Sequence, residues 1–383
     1  MAISLNDTLT YIQTEIVKDH VPELLQERYF PTDSSLDCFE SKKIVLDFDE
    51  GDLRDGAFVK KGYVNGNTVS FISKEVTPPR SAVEDDIDPT DDDRQLFENL
   101  CKQPGATRAD VWQAMLMIKA NRLKARCARD VEKLCVNVFT NNGIQGTMAT
   151  SSTDPTPITL DISYYNTDVG NKQLVYVGDN IEDDHGSTLA TSWTASSGAK
   201  PYDDVCALVR ALANHGGDPV DLIITPNMWS ILRADKKFQN RFELYIHQEE
   251  GKLEPHLQQG AAFRGQCEFD GYLLNIITYG RSYKNSSGAR TPYLPTDFVC
   301  VTAPNCGRTL CGGTTHLARE AVATEDIGAS FVSKSGKFIL SKVDDFDENK
   351  LKIRVESRPL PVPRSEWRWM TALVTTTRSS SGG

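Results

Sequence analysis

Glu182, Asp183, Asp184 and His185 stand side by side in IEDDHG, and carboxylates next to an imidazole are the donor types of a metal-dependent hydrolase. Neighbours on one loop rarely complete a coordination shell without distant ligands. The run therefore reads as a solvated acidic loop, and a hydrolase using Glu182, Asp184 and His185 stands as the rival function. DFDENKLKIRVE sets Asp345, Asp347, Asn349 and Glu356 at positions 1, 3, 5 and 12 of a calcium-loop template, but Lys350 stands where the sharp turn needs glycine. Its flanks alternate as strands, so it reads as a β-turn. The nine cysteines (38, 101, 127, 135, 206, 267, 300, 306 and 311) include no C-x-x-C pair, and Cys300, Cys306, Cys311 and His316 fit no zinc spacing. Reduced, buried small hydrophobes are expected.

Other chemistry is thinner still. Leu222, Ile223 and Ile224 run into a helix carrying Met228, Trp229, Ile231 and Leu232, but no glycine-rich phosphate loop is present, and Pro226 removes a donor at the turn. That stretch is scaffold, with Trp229 taken as core. No G-x-S-x-G occurs, the six histidines fall in no catalytic frame, and Asn285-Ser286-Ser287 marks only a loop. Lys119, Arg122, Lys124, Arg126, Arg129 and Lys133 give one segment a basic face, read as a partner for neighbouring carboxylates rather than for phosphate. No catalytic residue, cofactor or metal is assigned, and the chain is not expected to be an enzyme.

Composition narrows the class. At 383 residues, 39% hydrophobic and 25% charged, the chain fits a globular protein of two or three domains. A net charge of -11 argues against nucleic-acid binding over the whole surface. No secretory leader or membrane-length apolar run is visible, so a cytosolic chain without a membrane partner is expected.

The elements follow from periodicity. Residues 4–30 read as a helix broken at Pro22, followed by a strand in KKIVLDFDEG that alternates Ile44, Leu46 and Phe48 against Val45, Asp47 and Asp49. Asn65-Gly66 centres a hairpin over residues 57–76, which needs something to lie against. The following TPPRS and EDDIDPTDDD are expected to continue no sheet. Residues 107–139 form one long helix, with Thr107 and Asp110 as its capping box. Val111, Met115, Ile118, Leu123, Val131, Leu134 and Val138 are its apolar stripe, and Asn142-Gly143 its stop. Strand-like pieces in 144–200, a helix over 203–215, strands at 271–280 and 297–303, and a terminal meander closed by Pro359, Pro361 and Pro363 complete the reading.

Several pieces occur in a telling order: LLQERYFPTDSSLDCFESKKIVLDF, EVTPPRS, WTASSGAKPYDDVCALVRAL, IITPNMWSILR, GYLLNIITYGRSY with YLPTDFVCV, and VESRPLPVPRSEW. This order resembles the major capsid proteins of tailed bacteriophages, the HK97-like fold, and within them the lambda-type family. The resemblance implies an α+β chain with six parts: an N-terminal arm (1–40), an extended hairpin loop (41–92), a peripheral domain with a spine helix (93–195), an axial domain (196–318), a return of the peripheral domain (319–374) and a disordered tail (375–383). It implies a structural subunit that forms hexamers and pentamers, closing into an icosahedral shell around double-stranded DNA. Intersubunit contact falls to Lys60, Lys61, Tyr63, Val69, Phe71, Pro78, Pro79 and Arg80. A few relatives crosslink through a lysine in the hairpin, but no acceptor motif is matched here, so that chemistry is not carried over to Lys60 and Lys61. With roughly forty residues before the first strand, scaffolding falls to a separate protein. A portal and a decoration protein are the other implied partners, the virion capsid is the location, and the host cytoplasm is the place of assembly. An encapsulin-like nanocompartment shell is the alternative within the fold.

Overall fold

The computed structural model describes residues 24–39, 41, 43–49, 71–86, 108–148, 158–164, 172–248, 257–258, 261–285, 288–313, 337–345 and 350–378. The expected helix before Pro22, the Asn65-Gly66 turn and the Thr107 cap lie outside these residues. A short helix, α1 (Leu24–Tyr29), buries Leu24, Leu25 and Tyr29. Strand β1 (Ile44–Asp49) pairs antiparallel with β2 (Phe71–Val76), in register from Ile44↔Val76 to Asp49↔Phe71. The strand read in KKIVLDFDEG is thus one arm of a two-stranded ribbon, and the end of the expected hairpin is the other.

The next segment departs from expectation. Ser81–Asp86 is a strand, β3, although its acidic run was read as ending the sheet. Its partner is remote. Antiparallel β15 (Ile339–Asp345) and β16 (Lys350–Ser357) form the expected meander, and β3 adds to β16 from Ser81↔Ser357 to Asp86↔Lys352. Arg354 of β16 pairs with Glu84, so the acidic strand finds its counter-charge across the ladder. Strand β17 (Pro359–Pro363) follows and pairs with β14 (Gly307–Cys311). Proline at alternate positions was read as closing the sheet. Alternation instead turns all three missing donors to one edge, where no ladder bond is lost. The carbonyl of Pro361 accepts from the Tyr164 hydroxyl.

Helix α2 (Arg108–Asn141) has 34 residues and spans about 50 Å at 1.5 Å per residue. Its buried pairs step by four: Met115 and Leu116, Lys119 and Ala120, Leu123 and Lys124, Cys127 and Ala128, Val131 and Glu132, Cys135 and Val136. Each step of four advances the buried face by about 40° around a 3.6-residue helix. The face therefore winds between two cores. Leu116, Leu123 and Cys127 pack with Phe338, Leu340, Ile353 and Val355, whereas Val131, Cys135 and Phe139 join Leu25, Tyr29, Phe30 and Trp369. Phe139 meets Tyr29, Phe30 and Trp369 edge-on. The helix stops at Asn142, whose φ of 49° is left-handed. Strand β4 (Gly143–Met148) then pairs with β5 (Ile158–Ser163). A Cβ on Gly143 would stand 2.1 Å from the Ile162 carbonyl oxygen. Gly143→Ala is expected to cost about 1–3 kcal/mol by overpacking, read as a lower urea midpoint; an unchanged midpoint would show that β5 yields freely.

The largest sheet mixes remote segments. Strand β6 (Leu174–Val177) precedes helix α3 (Pro201–Asn214), strand β7 (Asp221–Ile224), helix α4 (Pro226–Ala234) and helix α5 (Lys236–Gln248). Then come β8 (Leu257–Gln258), β9 (Ala261–Phe269), β10 (Tyr272–Tyr279), the small pair β11 (Ser282–Lys284) and β12 (Arg290–Pro292), β13 (Phe298–Thr302) and, last, β18 (Trp369–Thr377). Its order is β6-β18-β13-β7-β10-β9-β8. Every residue of β7 and β13 is buried, which explains their unbroken apolar runs. The sheet joins 174–177 and 369–377 to segments that the domain reading had separated from them. It also corrects the tail expected from 375. Thr375 and Thr376 donate to the Asp297 carboxylate at 2.9 and 2.7 Å, and their strand runs to Thr377.

Trp229 is only partly buried, edge-on to Phe238 and Phe242, whereas Met228 and Leu232 are the core residues of α4. Helix periodicity fixes which residues share a face, but the aromatic pair on α5 leaves one side of Trp229 open.

Candidate assembly interface

The residues that looked chemical are tied up in structure. Asp183 is buried and accepts from Arg210 Nη2 at 2.8 Å, and from the Ser187 amide at 3.0 Å and His185 amide at 3.1 Å. Burial works to raise its pKa, but hydrogen bonds from Ser187, Arg210 and His185 prevail and hold it down at about 2. Asp184 accepts from Asn214, and Glu182 pairs with Lys172. Among the described residues, no group of three or more His, Cys, Asp or Glu is placed to hold a metal. Glu356 of the calcium template is buried and bound by Arg80 and Arg354. Eight of the cysteines are described and unbridged. On α2, Lys119 and Lys124 are buried, Lys124 lies over the Phe338 ring, and Lys133 pairs with Asp130, while Arg122, Arg126 and Arg129 are exposed. Ile118, assigned to the apolar stripe, is 41% exposed, because the winding face has turned away from it.

What remains is the place where the β1–β2 ribbon leaves the body. Of the residues given to intersubunit contact, Lys60, Lys61, Tyr63 and Val69 lie outside the described residues. Phe71 opens β2, opposite Asp49. Pro78, Pro79 and Arg80 form the return. Pro78 is buried close to Gly312, where an added Cβ would stand 3.2 Å from its ring. Arg80 Nη2 reaches Glu356 at 2.5 Å, so the ribbon's outgoing strand is fastened to the β15–β16–β3 sheet. On the incoming side, the Gly313 amide donates to the Ser41 carbonyl at 2.8 Å. Lys43 pairs with Glu75 across the ribbon at 3.1 Å.

Beside this root three apolar side chains are exposed. Leu36 is 72% exposed, Val45 63% and Phe39 39%. Sequence reasoning did not single out these three. The alternation that buries Ile44 and Leu46 places Val45 on the opposite face, and that was the available signal; Leu36 and Phe39 carry none. Tyr272 and Leu273, beside the β9–β10 turn, form a second exposed apolar pair. Interior groups hold the root in place. Asp221 binds Arg28, Tyr29 and Asn275, and the Arg28 guanidinium is held charged by that bond, its pKa pushed up. Glu132, fully buried on α2, accepts the amides of Leu25 and Gln26 at 3.1 and 3.2 Å and the Tyr279 hydroxyl at 2.6 Å. It thus caps α1 and joins it to the large sheet.

The family model for phage major capsid protein E matches residues 9–372. The chain belongs to that family. As a phage major capsid protein, it is a shell-forming structural subunit. Its α+β fold is that of a prophage protein of Escherichia coli CFT073 assigned as a capsid protein, at TM-score 0.57 and 17% identity, covering 98% of this chain and 99% of that one. The capsid of Ralstonia phage GP4 overlays at 0.48 with 10% identity, covering 95% and 93%. The SrpI encapsulin of Synechococcus elongatus PCC 7942 overlays at 0.37 with 10% identity, covering 95% and 94%. Neither of these two overlays is close enough to weigh in the choice between a phage head and a nanocompartment. No curated protein matches the capsid protein significantly. Among its described residues no helix is long and apolar enough to cross a membrane.

One of the pieces that carry the family resemblance is fastened by a side-chain bond. In WTASSGAKPYDDV, Trp193 Nε1 donates to Asp204 Oδ2 at 2.8 Å, which fastens the loop to the first turn of α3. Burial pushes the Asp204 carboxyl up to about 6. A carboxyl raised in the folded state binds its proton more tightly there than when unfolded, so stability falls as pH climbs from about 4 to 6. Asp204→Asn is expected to gain about 2 kcal/mol on wild type between pH 4 and pH 7, at 1.36 kcal/mol per unit. Urea midpoints of both proteins at the two pH values check this; parallel pH dependences would contradict it.

Proposed function

We propose that this subunit forms hexamers and pentamers that close into an icosahedral head around double-stranded DNA, with the β1–β2 ribbon as the element that reaches an adjacent copy. The observation that carries the proposal is the root. Two strands leave the body from a clamped base, and Leu36, Phe39 and Val45 lie exposed beside it. A two-stranded ribbon is marginal in water alone, and a second copy supplies its cover. Phe71 opens β2 and Pro78, Pro79 and Arg80 form its return; with Lys60, Lys61, Tyr63 and Val69 they are the residues proposed to meet the neighbour. In this reading α2 is the spine of a peripheral domain to which β15 and β16 return, and α3, α4 and the large sheet make an axial domain. The subunit works by contact, without catalysis. A separate scaffolding protein, a portal and a decoration protein complete the head, which assembles in the host cytoplasm and encloses DNA without reading its sequence. The net charge of -11 suits a container whose walls must not arrest phosphate.

A charge on the apolar root tests this. Leu36→Asp and Val45→Asp remove surface side chains, so the subunit's melting temperature is expected to stay unchanged while light scattering reports no large particles. Particles of wild-type size from both variants would place the contact elsewhere.

A further inference from the structure

Cys38 and Cys311 face each other across a parallel backbone bridge at the ribbon root. The Cys311 amide donates to the Asp37 carbonyl at 2.7 Å, and the Phe39 amide to the Cys311 carbonyl at 2.8 Å. Neighbouring strands lie about 4.8 Å apart. That spacing falls inside the Cα separation of about 4.4–6.8 Å that a disulfide spans. The Cys38 side chain is the first cause that raises the pKa of the Cys311 thiol. Backbone on both sides is held as well: Gly312 donates to the Arg358 carbonyl at 2.9 Å and Gly313 to the Ser41 carbonyl at 2.8 Å.

Access separates this pair from the other described thiols. Cys38 is half-buried, while Cys127, Cys135, Cys206, Cys267, Cys300, Cys306 and Cys311 are buried. A solution oxidant therefore reaches Cys38 first.

We propose that Cys38 and Cys311 form an oxidation site, at which a small-molecule disulfide converts the two thiols to a cystine that ties the Cys38 segment to β14. The Cys38 thiolate attacks one sulfur of the small-molecule disulfide and expels its other half as a thiolate, which takes up a proton. Cys311 then loses its proton to solvent and displaces the second half from the mixed disulfide. Two cysteine thiols are oxidised and one disulfide is reduced to two thiols. The hydrogen bond with Cys38 and burial hold Cys311 well above the ordinary thiol range, so the second displacement is the slower step and quickens as pH rises. The bond closes a loop from residue 38 to residue 311 and pins the base from which the ribbon departs. The chemistry is independent of the assembly proposal. If both hold, a shell built under reducing conditions is stapled after release into an oxidising medium.

The test treats the full-length protein with oxidised glutathione, denatures it under acid quench, counts thiols and maps linked peptides. The nine thiols of the chain are expected to fall to seven, with a peptide bearing Cys38 joined to one bearing Cys311 and full reversal by dithiothreitol. Cys38→Ser, which alters a half-buried position and leaves the core intact, is expected to keep its eight thiols. The oxidised wild type is expected to melt several degrees higher than its reduced form, with no such shift in the variant. Nine surviving thiols, glutathione retained on Cys38 without linkage to Cys311, or a different linked pair would each overturn the proposal.

Discussion

Replacing residues 50–70 with a two-residue Asn-Gly turn is expected to yield a folded, soluble subunit that makes no shells. The β1–β2 ladder runs from Ile44↔Val76 to Asp49↔Phe71, so removal of the intervening residues leaves every described pair in place. Asn-Gly suits the tight turn that would close it. The described cores draw only Ile44, Leu46 and Val76 from the ribbon, all at its base. Circular dichroism and the urea midpoint should therefore match wild type, while sedimentation shows particles replaced by free subunits. A deletion of 58–74 would cut into β2 and confuse the two effects. Normal shells from the Asn-Gly chain would remove the ribbon from the account of assembly. A chain that fails to fold would show that the ribbon serves its own body.

Asp221→Ala is expected to cost about 3–5 kcal/mol, the range for breaking a buried ion pair by removing one partner. Asp221 is fully buried in β7, accepting from Arg28 Nε at 2.6 Å, Arg28 Nη2 at 2.9 Å, Tyr29 at 3.0 Å and Asn275 at 2.8 Å. Alanine leaves the guanidinium, a phenol and an amide without their acceptor. The Arg28 side chain is 36% exposed and recovers some water, which sets the expectation at the lower end. Asp221→Asn retains one acceptor oxygen and is expected to lose less. Because α1 leads directly to the ribbon root, the alanine variant should also assemble poorly at temperatures where its fold survives. Equal melting temperatures for wild type and Asp221→Ala would show that the cluster contributes nothing net.

Legibility in the sequence follows the range of the interaction. Helix α2 was readable because its stripe and its Asn142-Gly143 stop are local, and β7 because Leu222, Ile223 and Ile224 are buried on both faces. Strand β3 was not, since the cation that answers Glu84 is Arg354, 270 positions away. Strand β17 was hidden by proline's reputation as a breaker, which holds inside a sheet but not where alternate residues face a free edge. The groups that seat α1, Glu132 and Asp221, act over separations of 107 and 193 residues and leave no local signature. Asp183 misled in the opposite direction. Its run reads as a solvated acidic loop, but Asp183 is buried and Arg210 answers its charge. The alternation of Ile44, Val45 and Leu46 made β1 legible, but its pairing with Phe71–Val76 was not, since the hairpin read at Asn65-Gly66 gives those residues a nearer partner. The exposed Leu36 and Phe39 were not legible either, because exposure is a property of the folded surface.

Negative-stain electron microscopy of the expressed full chain, with and without a candidate scaffolding protein, tests the central claim most directly. Closed shells, or rings and tubes of capsomers, are the predicted result. A monodisperse monomer or dimer under every condition would contradict it.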